Sequence, residues 1–194
     1  MKSVRKPRDP LKPFWQLLRN VRRILLWSMG AAAAPIVAGF SSLTPPWPPD
    51  VVPMTALLQV VTIVLLYHYF PNPTAAVANR ILSISAAFLC GASILYLVLL
   101  SQFTFTEPVS KLTFVKGLVC TRDALAVYPK LCPWLGDDQL IEAEWEASRL
   151  WTLWSITFIR VVLLASWLLS FGSLSCLLGS FFVFQAGSGK PKAR

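Results

Sequence analysis

Few residues in this chain have types and spacings suited to covalent or metal chemistry. Cys120 and Cys132 stand in a polar stretch with eleven residues between them. In an oxidising compartment such a pair closes a disulfide, and in a reducing one it remains two thiols. Two cysteines are too few for a metal cage, and the sole histidine, His68, is distant in sequence. An imidazole titrates near neutrality, so His68 is a candidate pH-sensitive gate; beside Tyr67 and Tyr69 it also suits an interfacial anchor. No Ser–His–acid motif, phosphate-cradling glycine loop or carboxylate pair within an apolar stretch is present. The expectation is a chain that is not an enzyme and takes no cofactor or metal.

The remaining candidates are polar residues set in apolar surroundings. Thr55, Gln59 and Thr62 recur at helical spacing, which puts them on one face, and Ser166, Ser170 and Ser173 form a second stripe. Polar groups in hydrocarbon need partners, so each stripe faces either protein or water. Helix packing and a lined aqueous path are both open readings. Arg160, between Ile159 and Val161, lies about ten residues into the last apolar stretch, where a bilayer-centre charge costs several kcal/mol. No acid within the apolar stretches is available to pair with it. It therefore either snorkels outward or faces a wet path or subunit interface, and the second option would favour anions.

Composition sets what must hold these residues. Hydrophobic residues make up 55% of the chain and charged residues 14%. A soluble domain needs about 25% charged residues, so lipid must take the place of the missing polar surface. The apolar segments predict four membrane helices. The first runs from about Ile24 to Leu43, and small residues Gly30 to Ala34 precede Pro35 within it. The stiff connector TPPWPPD, Thr44 to Asp50, follows, with Trp47 at the interface and Asp50 as N-cap. The second helix covers Val51 to Phe70 and is stopped by Pro71 and Pro73; the third covers about Ile81 to Phe105, with a small-residue patch at Cys90 to Ser93. The fourth runs roughly over 150–185. At that length it must tilt, protrude or break near Gly172 or Gly179.

Between the third and fourth helices, residues 106–149 form a polar loop with seven acidic against five basic residues. Gly136-Asp137-Asp138 resembles a helix start, and a helical pattern continues from it into the last apolar stretch. The fold class is therefore an all-α integral membrane protein of four transmembrane helices, with a partly helical outer loop between the third and fourth.

Net charge is +9, and eight of the eighteen Lys and Arg lie in the first 23 residues. No aromatic-and-basic recognition motif accompanies them, so the charge reads as membrane topology rather than nucleic-acid binding. Residues 1–23 make a basic tail leading into an amphipathic helix, whose Arg19, Arg22 and Arg23 are candidates for binding anionic lipid or a cytoplasmic partner. Residues 186–194 make a second basic tail. Both termini are expected in the cytoplasm, and compact size suggests a bacterial inner membrane.

In span number, size, small-residue patches and basic tail, the chain resembles small membrane effectors of bacterial antiphage defence. That resemblance implies homo-oligomers that permeabilise a membrane, gated by a partner protein or nucleotide signal. The leading expectation is a homo-oligomeric channel or permeabilising effector lined by Arg160 and the two stripes. The alternative is a non-conducting membrane adaptor that recruits a cytoplasmic partner through its basic N-terminal helix and a second protein through its outer loop.

Overall fold

The computed structural model describes residues 30–40, 43–70, 74–108 and 111–188. Residues 1–29 and 189–194 fall outside this range, and with them Arg19, Arg22, Arg23 and the start of the first expected span; residues 186–188, expected in the second tail, belong to the last helix. The described chain is mostly helical. Its elements are α1 (Gly30–Phe40), α2 (Val51–Tyr69), α3 (Ala75–Phe103), β1 (Thr104–Thr106), β2 (Thr113–Val115), α4 (Arg122–Val127), α5 (Asp137–Glu142), α6 (Ala147–Leu150) and α7 (Leu153–Ser188).

Two helices, α3 and α7, are long and apolar enough to cross a membrane. Only 17% of the most apolar window of α3 is buried, and 33% of that of α7. A core helix of a soluble protein would bury most of such a window. Here Phe88, Ile94, Leu97 and Val98 on α3 stand exposed instead, as do Leu57 and Leu65 on α2.

Helix α7 lies between α2 and α3 and packs on both. Its run of 36 residues is unbroken, so neither Gly172 nor Gly179 interrupts it. Gly179 serves close packing: a Cβ there would stand 2.9 Å from Leu66 Cδ1 on α2. Helix α3 begins earlier than the sequence suggested. Thr74 caps it, its hydroxyl accepting from the Val77 N–H at 3.5 Å.

The region between α3 and α7 is not purely helical. β1 and β2 pair antiparallel, Phe105 opposite Phe114, and the two rings stack at 5.7 Å. Alternation of β-branched and aromatic residues in Thr104-Phe105-Thr106 and Thr113-Phe114-Val115 favours this hairpin over helix, which is why α3 stops at Phe103. The expected continuous helix from Asp137 onward is also corrected. Gly136 is the N-cap of α5 and its N–H donates to Gln139 Oε1 at 2.8 Å, but Glu144 and Trp145 then take left-handed φ values of 55° and 62°. That conformation cannot continue a right-handed helix, so the chain turns before α6.

Residues 104–152 make a unit lying outside the helix bundle, the outer unit, and its buried residues belong to the same hydrophobic cluster as Ile159, Leu163 and Trp167 of α7. Trp151, Leu135, Leu140 and Val115 are almost fully buried, and the Trp151 indole donates to the Pro133 carbonyl at 3.1 Å. Gly117 packs directly on Trp151, since a Cβ there would lie 2.6 Å from the Trp151 Cβ. The outer unit is thereby fixed to the start of α7.

Candidate functional site: the α2–α7 seam and the outer boundary

The polar stripe of α2 meets α7 in the seam between the two helices. Thr55 is fully buried; its hydroxyl donates to the Val51 carbonyl at 2.7 Å and accepts from the Trp167 indole N–H at 2.9 Å. Gln59, also fully buried, donates from Nε2 to the Phe171 carbonyl at 3.5 Å. Its Oε1 is buried without a partner. Thr62 is only half-buried and bonds within its own helix to the Leu58 carbonyl at 2.8 Å. It sits on the rim of the seam, one step round the helix from the buried Ile63.

On α7, Ser166 donates to the Leu163 carbonyl at 2.9 Å and Ser170 to the Ser166 carbonyl at 2.8 Å; Ser173 is buried nearby on the same helix. The Ser166 and Ser170 hydroxyls satisfy themselves on their own backbone, the usual behaviour of Ser and Thr inside apolar helices. Trp167 is the partner that sequence reading missed. The signal was a Trp flanked by Ser166 in an otherwise apolar stretch, since a buried indole N–H requires an acceptor.

The two inter-helix bonds share one offset: Thr55 to Trp167 and Gln59 to Phe171 are each 112 positions apart. Helices α2 and α7 therefore run parallel and in step, and the Gly179–Leu66 contact continues that register. Tyr96 of α3 meets Trp167 with ring centroids 5.3 Å apart, and its hydroxyl donates to the Leu43 carbonyl at 2.5 Å. α3 runs antiparallel to the other two, since its C-terminal end and the start of α7 both enter the outer unit.

This register locates the charged residues. Arg160 precedes Trp167 by seven residues and Phe103 follows Tyr96 by seven, so both stand level with the connector before α2. Arg80, sixteen residues before Tyr96, is level with position 183 of α7, close to His68 and Tyr69 at the end of α2. Between these two levels α2, α3 and α7 carry no Asp, Glu, Lys or Arg. The charge-free layer is about 35 Å thick at 1.5 Å per helical residue. Arg160 is thus at an edge of the layer and not at its centre. It is partly buried, and its Nε has no partner among the described residues. The exposed Trp47 and Trp134 mark the same edge, while exposed His68, Tyr69 and Phe70 mark the other.

Beyond the Arg160 edge lies the outer unit, where Cys120 and Cys132 are joined in a disulfide with Cα atoms 6.3 Å apart. Thr121 caps α4, accepting from the Ala124 N–H at 3.2 Å and donating to the Arg149 carbonyl at 2.8 Å. The Tyr128 hydroxyl donates to Glu142, and this bond to a carboxylate raises the phenol's pKa. Hydrogen bonds from Ser148 and Arg149 lower the Glu146 pKa. No group of three or more His, Cys, Asp or Glu suited to a metal occurs among the described residues. Compared with known proteins, the chain matches no family model, no curated protein and no solved structure.

Proposed function

We propose that this chain is a four-span membrane protein acting as a non-conducting adaptor that holds a disulfide-closed domain at the outer surface. The observation that carries this reading is the occupied seam. Thr55 and Gln59 are 0% exposed; Thr55 accepts from Trp167 and Gln59 donates to the Phe171 carbonyl, both on α7, so these polar groups are turned inward to packing. A pore built among copies would need them turned outward.

Membrane placement is supported by the charge-free layer, whose thickness approaches the roughly 30 Å of a hydrocarbon core, and by aromatic residues at both edges. Arg160 then lies at the level of the headgroups, where its partly buried guanidinium can turn outward. Parallel α2 and α7 with antiparallel α3 make three crossings, and the first span expected before α2 would make the fourth and bring both termini to one side. The basic N-terminal segment fits the cytoplasmic side and the disulfide an oxidising one. The outer unit exposes Leu125, Val127 and Leu131 within one short stretch, apolar surface suited to a protein partner. On the inner side, Arg19, Arg22 and Arg23 would meet a cytoplasmic protein or anionic lipid.

A homo-oligomeric channel is the second reading, favoured by the unpartnered Gln59 Oε1 and Ser180 Oγ, polar atoms that parting helices would give to water. Ion flux through liposomes containing only the purified chain separates the two. The adaptor predicts no flux. A flux that changes on Gln59→Leu, with unchanged insertion, would overturn it in favour of the channel.

A further inference from the structure

A cleft of about 200 Å³ opens where the end of α3 meets the outer unit. Gln102, Phe103, Lys116, Pro133, Trp134 and Leu135 line it. We infer that this cleft binds the phosphate group of an anionic phospholipid, with Lys116 as its cationic contact. The inference rests on the membrane placement proposed above.

Lys116 is held firmly. Its backbone N–H donates to the Phe103 carbonyl at 2.7 Å, and the adjoining Gly117 is packed against Trp151. Its ammonium has one long bond, to the Leu135 carbonyl at 3.4 Å, and no ion pair among the described residues. An ammonium offers three donors, so two protons remain for a ligand. The outer unit is otherwise rich in acids, yet none neutralises this lysine, and an anion fits where a carboxylate is missing.

The neighbouring wall selects the source of the phosphate. Phe103 and Trp134 pair with ring centroids 5.6 Å apart, and Trp134 is 62% exposed. Phe103 is level with Arg160, at the edge of the charge-free layer. A phosphate seated on Lys116 would hang its acyl chains downward along the exposed face of α3, while the aromatic pair meets the glycerol region. Free inorganic phosphate would use the lysine and leave the aromatic wall empty. The Gln102 amide at the rim supplies a further donor to a phosphodiester oxygen.

The test uses the full chain in nonionic detergent, titrated calorimetrically with water-soluble dihexanoyl phosphatidylglycerol, with dihexanoyl phosphatidylcholine and with inorganic phosphate. Because the probes are soluble, the assay does not depend on a bilayer; membrane placement is checked separately by carbonate extraction from cells. The expected order places phosphatidylglycerol tightest. Lys116→Gln weakens it about fivefold and Lys116→Arg retains it. Gln102→Glu, at an exposed position outside the core, brings a carboxylate into the cleft and weakens binding similarly without disturbing the fold. Equal affinity in the wild-type, Lys116→Gln and Gln102→Glu proteins would overturn the inference. Inorganic phosphate binding as tightly as the lipid probe would overturn the lipid assignment.

Discussion

The indole N–H of Trp167 donates to the hydroxyl of Thr55 at 2.9 Å, joining residues 112 positions apart inside a fully buried seam. That bond fixes which turn of α2 faces which turn of α7. The level of Arg160 follows from it and from the matching Gln59 contact, and the level of Arg80 from the Tyr96–Trp167 ring contact.

Thr55→Val keeps the side-chain shape and leaves the Trp167 N–H without an acceptor. The expected loss is about 0.5–2 kcal/mol, since hydrogen bonds between membrane helices are modest on average. Thermal unfolding in detergent, followed by near-ultraviolet circular dichroism, measures it. In the cycle with Trp167→Phe, the double variant should lose less than the sum of the singles. Strict additivity would mean that the bond does not couple the helices.

Gly179→Ile should part α2 from α7 by forcing a side chain into Leu66. Overpacking of this kind costs about 1–3 kcal/mol. Leu66→Ala should restore part of that loss in the double variant, which the same unfolding assay detects. Absence of any rescue would indicate that the two helices do not approach at Gly179.

Opening the Cys120–Cys132 bond by Cys120→Ser with Cys132→Ser should destabilise the outer unit by up to about 3 kcal/mol. The sign is checked by faster proteolysis within 121–131 in the double variant, with α3 and α7 unaffected. An unchanged cleavage rate would show that the hairpin and the Trp151 core suffice alone.

The outer unit should also show two opposite pH slopes. Tyr128 has a raised pKa because its hydroxyl donates to Glu142, so its contribution is complete below the ordinary phenol pKa and is lost as pH rises through the raised value. Glu146 has a lowered pKa from Ser148 and Arg149, so its contribution is present above the ordinary carboxylate pKa and is lost as pH falls through the lowered value. Tyr128→Phe should flatten the alkaline slope of hydrogen-exchange protection, and Glu146→Gln the acid slope. A wild-type profile level at both ends would contradict both bonds.

Arg160→Cys in the intact membrane should react with an impermeant maleimide added outside, whereas Trp167→Cys, about 10 Å further along α7, should not. Reaction of neither would place Arg160 inside the layer and return it to a role at its centre.

Much of the architecture was legible in the chain itself. Four Pro in Thr44 to Asp50 and the PNP of residues 71–73 forbid helix interiors, so α2 had to lie between them, and it does. Scarcity of charge over the α3 and α7 segments required apolar surroundings whatever the packing. The helix start at Gly136 was likewise readable from Asp137 and Asp138, because acids near an exposed N-terminus meet the helix dipole favourably. Periodicity also placed Thr55 and Gln59 on one face.

Tertiary structure decided what that face meets. A helical wheel gives direction and no partner, so a packed seam and a lined path look identical in sequence; the structure adds the Trp167 indole as the partner of Thr55. It also set the level of Arg160 relative to the other helices. Counting from the start of the apolar stretch put it about ten residues in and left snorkelling and a wet path both open; the packing sets it level with the connector before α2, because the first turns of α7 extend past the start of α2. Lys116 carried no signal of its own, being one of five basic residues in an acidic loop. Only the hairpin, by folding β2 back onto the last carbonyl of α3, brings it to the edge of the charge-free layer, because local propensity sets elements whereas level and neighbours are set by how they pack.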